Sequence, residues 1–168
     1  MSIGRPAERS IAMCELRSGA CVGAGRAGSI IANVEADGTF EVASFVPAVG
    51  VGGSDIVTAL PVGVATMEKR YAGGVEGRSA TLFTSAFDQA AGVGTYIAME
   101  SFQGSLNGVA GSFNFVHSAT TCGTDRSEEF FLIVASSGTG GLAGIRGAGR
   151  MVVETDGAHR IRFDYELT

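Results

Sequence analysis

A chain of 168 residues with 45% hydrophobic and 17% charged side chains has the size and make-up of one folded domain. Its outlier is glycine, with 26 residues or about 15% of the chain against a usual share of roughly 7%. The formal charge is −5 with a single lysine, Lys69, and dispersed arginines, which argues against a phosphate-tracking face for nucleic acid or an anionic membrane.

No stretch reaches the roughly 18 apolar residues of a membrane-spanning helix, and Arg5, Glu8, Arg9 and Glu15 interrupt any signal-peptide core. A cytoplasmic protein is the expectation. Cys14, Cys21 and Cys122 form no C-x-x-C pair, and His117 and His159 are the only histidines, so neither a disulfide framework nor a bound metal is expected.

Residues 1–27 mix charges with small residues and show no strand period, which reads as a leader or edge segment. One domain is expected from 28 to 168. Within it, β-branched and aromatic residues alternate between glycine-rich turns, so strands are expected and helices are not. Asp37-Gly38 precedes an alternating strand, Thr39 to Phe45, and Pro47 to Ser54 reads as a loop. Ile56 to Tyr71 is β-rich and broken near Pro61, whose missing N–H favours a bulge or strand start. Gly73-Gly74 turns the chain into Arg78 to Phe87, and Gly92 to Gly94 makes the next corner.

Leu106-Asn107-Gly108-Val109 is the clearest local signal, because both residues of a two-residue hairpin loop must take positive φ. A strand near 128–136 and a glycine-dense corner from Gly138 to Gly149 follow. The last hairpin joins Arg150–Thr155 to His159–Leu167 across Asp156-Gly157. About eight strands with short connections are enough to close an antiparallel barrel and remove its edges.

With Asn107-Gly108 as the loop, Phe102 faces Phe113, Glu100 faces Phe115, and Ala98 faces His117. One face then carries Tyr96, Ala98, Glu100, Phe102, Phe113, Phe115 and His117, and it is expected to point inward. The other carries Ile97, Met99 and Val116 among polar residues, and a subunit contact there, or an inverted assignment of the faces, stays open. A carboxylate and an imidazole among aromatic rings need each other or a ligand. A structural pair, a ligand-contacting pair and an acid–base pair all fit that pattern.

Three motifs are weaker. Gly23-Ala24-Gly25-Arg26-Ala27-Gly28 spells G-x-G-x-x-G but leads into strand-like residues, so dinucleotide binding is not expected. Gly138 to Gly144 lacks the lysine of a phosphate loop and reads as a bent corner. Lys69, between Glu68 and Arg70, is expected to be a solvated or mouth-facing cation.

Several pieces in order resemble a bacterial family of unknown function whose members fold as allene-oxide-cyclase-like β-barrels. They are Gly38-Thr39-Phe40-Glu41-Val42, Gly73-Gly74-Val75-Glu76-Gly77, Tyr96-Ile97-Ala98-Met99-Glu100 and Gly104-Ser105-Leu106-Asn107-Gly108. Gly111-Ser112-Phe113 through His117, Ser137 through Gly147, and Asp164-Tyr165-Glu166-Leu167 complete the set, spanning residues 38–167. The resemblance implies a closed, hollow, antiparallel barrel, lipocalin-like in general shape. It also implies that Glu100 and His117 stand where the family keeps a glutamate and a histidine. Phe45 stands in place of a usual tryptophan, and Gly74 and Gly141 stand where acidic residues are common.

The expected function is a cofactor-free isomerase or cyclase acting on a small, largely apolar molecule inside the barrel. Glu100 and His117 would be catalytic, and Tyr96, Ala98, Phe102, Phe113 and Phe115 would line the pocket. A non-catalytic binding or carrier barrel is the alternative reading. A homo-oligomer is left open; a nucleic-acid or membrane partner is not expected.

Overall fold

The computed structural model describes residues 33–49 and 55–168. Nine strands follow in chain order: β1 (Val34–Pro47), β2 (Gly63–Gly73), β3 (Val75–Asp88), β4 (Val93–Leu106), β5 (Val109–Cys122), β6 (Asp125–Ile133), β7 (Thr139–Gly140), β8 (Arg146–Val153) and β9 (His159–Glu166). There is no helix among the described residues, and so none long and apolar enough to cross a membrane. The expected leader, 1–27, and the G-x-G-x-x-G run lie outside the described residues.

All pairings are antiparallel. The sheet runs β4-β3-β2-β1-β9-β8-β6-β5, and β4 pairs with β5, so the order closes into a ring of eight strands. The two-residue β7 adds to β5 at Gly111–Ser112. Closure leaves the eight strands no free edge, apart from a thin seam where β6 meets β8 at the single pair Leu132↔Ala148.

The central hairpin follows the register that Asn107-Gly108 dictates. Asn107 and Gly108 have φ of 49° and 82°, and Phe102↔Phe113, Glu100↔Phe115 and Ala98↔His117 are partners. The face with Tyr96, Ala98, Glu100 and Phe102 points inward; Ile97 and Met99 are exposed. The orientation left open by the sequence is thereby resolved.

Several boundaries differ from the sequence reading, among them β3, which starts at Val75 rather than Arg78, and β8, which starts at Arg146 inside the expected glycine corner rather than at Arg150. The first strand starts at Val34 and runs straight through Asp37-Gly38. Gly38 is needed there for room: a Cβ would lie 2.8 Å from the Ala72 carbonyl oxygen and 2.9 Å from Val75 Cβ. Regular pairing in the second strand waits until Gly63, after Pro61. The sixth strand starts at Asp125, where it pairs with Cys122, and continues through a bulge at Glu128, whose φ is 50° and whose extra residue shifts the register between Ser118 and Thr120.

The ring interior is filled unevenly. Towards the end formed by the start of β1 and the close of β4 it is packed solid with Val75, Leu106, Phe113, Phe115, Leu142, Ile145, Phe163 and Tyr165. Edge-on ring contacts, such as Phe113–Phe163 at 5.3 Å and Phe115–Phe163 at 5.2 Å, lock this half. The opposite half, towards the end of β3 and the start of β4, is open.

Candidate functional site

The inward alternation of four strands delivers polar side chains to the boundary between the packed half and the open half. β2 contributes Lys69 and Tyr71, β3 Ser79 and Thr81, β4 Tyr96 and Glu100, and β5 His117. Glu100 is the hub. It is fully buried, and each carboxylate oxygen accepts two hydrogen bonds. Oε1 accepts from Lys69 Nζ and from His117 Nε2 at 2.7 Å; Oε2 accepts from Tyr71 at 2.8 Å and Ser79 at 2.6 Å.

Burial on its own would push the Glu100 carboxyl up, but the His117 hydrogen bond and the Lys69 charge outweigh it and hold the pKa down at about 2. Glu100 is therefore an anion that cannot donate. His117 must then present Nε2–H to it, and burial, the largest influence on the ring, holds its pKa below the usual value and keeps it neutral. A neutral ring with its proton on Nε2 has a bare Nδ1, which accepts from the Tyr96 hydroxyl at 3.1 Å. Tyr96 in turn accepts from Arg126 Nη2 at 2.8 Å. The protons thus point one way, from Arg126 through Tyr96 and His117 to Glu100.

Lys69 corrects the sequence reading. It is 4% exposed, bonded to Glu100, with its ammonium 4.8 Å from the Phe40 ring centre. Period two along β2 puts Ala65, Met67, Lys69 and Tyr71 on one face, and that face is the interior. Its flanking charges, Glu68 and Arg70, point out.

Above this cluster, the open half of the ring encloses a cavity of about 420 Å³. Phe40, Phe45, Met67, Phe83, Phe87 and Met151 supply apolar walls, and Lys69, Tyr96, His117 and Arg126 supply the polar floor. Phe83 stacks on Tyr96 at 5.1 Å, and His159 on Phe40 at 4.9 Å.

Of the site residues expected from the sequence, Tyr96 and His117 line the cavity. Glu100 sits one layer below, out of its reach. Ala98, Phe102, Phe113 and Phe115 are buried in packing contacts and are not among its lining residues. Sequence reasoning did not single out Tyr71, Ser79 or Arg126. Arg126 falls before the expected strand start, and Tyr71 and Ser79 meet Glu100 through pairings of β2 and β3 that no local motif announces. Among the described residues, no three His, Cys, Asp or Glu side chains are grouped to hold a metal ion.

No curated protein matches the chain. A solved structure of a protein of unknown function from Shewanella oneidensis MR-1 is similar in fold, with a TM-score of 0.67 and 25% sequence identity over 82% of this chain and 99% of that one. That protein is described as a member of the DUF3224 family. The family model for proteins of unknown function called DUF3224 matches residues 36–165, from the first interior alanine of β1 to the last interior tyrosine of β9. The match takes in every strand of the ring and all the residues of the polar cluster, and the chain belongs to the DUF3224 family.

Proposed function

We propose that the ring is a small-molecule barrel of the allene-oxide-cyclase type, which takes a small, largely apolar molecule into its open half with the polar end down. The observation that carries this reading is the lining of the cavity: apolar walls above, hydrogen-bonding groups converging below. Its volume of about 420 Å³ lies within the usual range for small-ligand sites, roughly 300–1,000 Å³. Glu100 is a positioning residue here, since its four hydrogen bonds leave no capacity for a ligand.

The test uses 1-naphthylamine, a neutral, compact apolar fluorophore. Wild-type protein should bind it with a rise in emission. Ser85→Trp, which places an indole on the cavity wall, should weaken binding at least ten-fold at an unchanged melting temperature. Equal affinity in the two proteins would remove the cavity from the explanation.

A second reading is a cofactor-free isomerase or cyclase of the same molecule. It is favoured by the directed chain from Arg126 to Glu100, which ends a proton path at the cavity floor. In that reading Tyr96, polarised by Arg126, turns its O–H to an oxygen of the substrate, while His117 takes a substrate proton on its bare Nδ1, is held as imidazolium by Glu100, and gives the same proton back to form the product. The cavity walls hold the substrate in its reactive shape. Tyr96→Phe would then bind the substrate with turnover lost.

A further inference from the structure

The cavity is charged in one sense only. Its described lining residues include two cations, Lys69 and Arg126, and two histidines, but no aspartate or glutamate, although the chain as a whole is acidic at −5. The two cations differ in what they already hold. Lys69 is matched by Glu100 beneath it. Arg126 is not matched in the same way. Its Nη2 donates to the neutral Tyr96 hydroxyl, and its Nε is buried without a hydrogen-bond partner. Glu129 Oε2 stands 3.5 Å from that Nε, on a side chain 40% exposed to water. A guanidinium in this position has donors left over, and a guanidinium suits the planar, two-pronged geometry of a carboxylate.

The histidines answer to the same field. Burial is the first cause of the lowered proton affinity of His117 and of His159, and the charges of Lys69 and Arg126 add to it in both. Neither ring is driven to become a third cation, so selectivity for an anion rests on the arginine, with the Tyr96 hydroxyl as neighbour.

We propose that the cavity selects an amphipathic monocarboxylate, its carboxylate bound by Arg126 beside Tyr96 and its apolar body held between Phe40, Phe45, Phe83 and Met151. At roughly 30 Å³ for each water-sized group, 420 Å³ accommodates about a dozen non-hydrogen atoms. The occupant is therefore a medium-chain or single-ring acid. The tail of a longer chain would project from the open end of the ring. This inference rests on the reading of the open half as an apolar small-molecule site and adds the head group to it.

Three probes with the same ten-carbon chain separate the two. Decanoate, 1-decanol and decyltrimethylammonium are titrated by calorimetry into the full-length protein at pH 8, at low salt. Decanoate should bind about ten-fold or more tightly than decanol, the margin expected when a charge-assisted pair replaces a neutral hydrogen bond. The ammonium should bind least. Arg126→Gln should bring decanoate and decanol to equal affinity, and Arg126→Lys should keep part of the preference. Equal affinity for decanoate and decanol in the wild type overturns the carboxylate assignment alone, and needs no variant to fold. A preference that survives Arg126→Gln overturns the role of Arg126. Binding of none of the three overturns both the small-molecule reading and this one.

Discussion

At the scale of single residues, the charge of Glu100 matters more than its chemistry. A fully buried carboxylate is tolerable only because Lys69, His117, Tyr71 and Ser79 replace the water it has lost. Removing that charge strands Lys69, whose own proton affinity burial already lowers, against Phe40. Glu100→Gln should therefore lose about 3–5 kcal/mol of stability, read from the urea midpoint at constant slope. A loss below about 1 kcal/mol would mean the cluster is wetter than its geometry. The same cluster predicts an acid-sensitive fold. Glu100 titrates near 4.5 when unfolded and at about 2 when folded, so its contribution is present above pH 4.5 and drains away between about pH 4.5 and 2. That contribution is worth up to about 3 kcal/mol. His117 acts in the same direction earlier. Its folded proton affinity lies below the ordinary 6.5, so the unfolded chain takes up the proton first and stability begins to fall as the pH drops below about 6.5. His117→Gln should flatten the upper part of that decline and, by loosening the hold on the Glu100 carboxyl, shrink the lower part as well, in denaturation series run from pH 8 to 3.

At the scale of elements, the hairpin β4–β5 and the strands beyond it show what was legible in the sequence and what was not. Asn107-Gly108 fixed the turn type, the turn fixed the register, and the register placed Glu100, His117 and Tyr96 on one face before any coordinates. Local chemistry decides such things. Lys69 and Ser79 were beyond its reach, because they meet Glu100 through the registers of β2 with β3 and of β3 with β4, which no local turn motif announces. Ala98, Phe102, Phe113 and Phe115 share the face of Tyr96 but not its depth; alternation tells inside from outside and says nothing of which half of the ring is solid. The glycines tell a similar story. Gly77, Gly104, Gly111 and Gly140 pair in a row across β3, β4, β5 and β7. They look like loosened strand yet are sites of close approach. A Cβ on Gly104 would stand 2.0 Å from the Glu76 carbonyl oxygen, a backbone atom that cannot swing aside, whereas one on Gly108 meets nothing within 4 Å and suffers only from its φ of +82°. Gly104→Ala should accordingly cost about 2–3 kcal/mol or prevent folding, and Gly108→Ala about 1–2 kcal/mol. The order of the two urea midpoints is the check. A reversed order would put turn geometry above interior space in shaping this hairpin.

At the scale of the whole molecule, a closed ring is as cooperative as its weakest seam. The ladders of β3 with β4 and β4 with β5 each run fourteen residue pairs, while β6 and β8 share one. Side chains make up part of what the seam lacks in hydrogen bonds. Phe131 of β6 lies parallel to Phe115 at 5.1 Å and edge-on to Phe163 at 5.4 Å, and Gly149 of β8 leaves it room. A Cβ at 149 would come within 2.7 Å of the Phe131 ring. Local opening should follow this distribution, since segments with few backbone pairings open at lower free energy than the global unfolding. Native-state hydrogen exchange should find amides of β6 and β8 at the seam exchanging by sub-global opening, with β3, β4 and β5 protected up to the global limit. Gly149→Ala, by displacing Phe131 and crowding the Arg162 carbonyl oxygen of β9, 2.5 Å from the new Cβ, should widen that gap at the seam and leave the β3–β4–β5 amides less affected. Arg126 stands at the start of β6, and Met151, Val152 and Val153 close β8, so the two elements bordering the seam carry part of the cavity lining. A molecule held between Arg126 and the wall formed by Met151 of β8 would bridge the two strands that the backbone hardly joins. Decanoate at saturating concentration should therefore slow exchange at β6 and β8 by the same factor as at the globally protected amides of β4, since both openings give up the bound ligand. Slowing at β4 without slowing at β6 and β8 would instead place the seam outside the influence of the cavity, because an opening that keeps the ligand is not opposed by it.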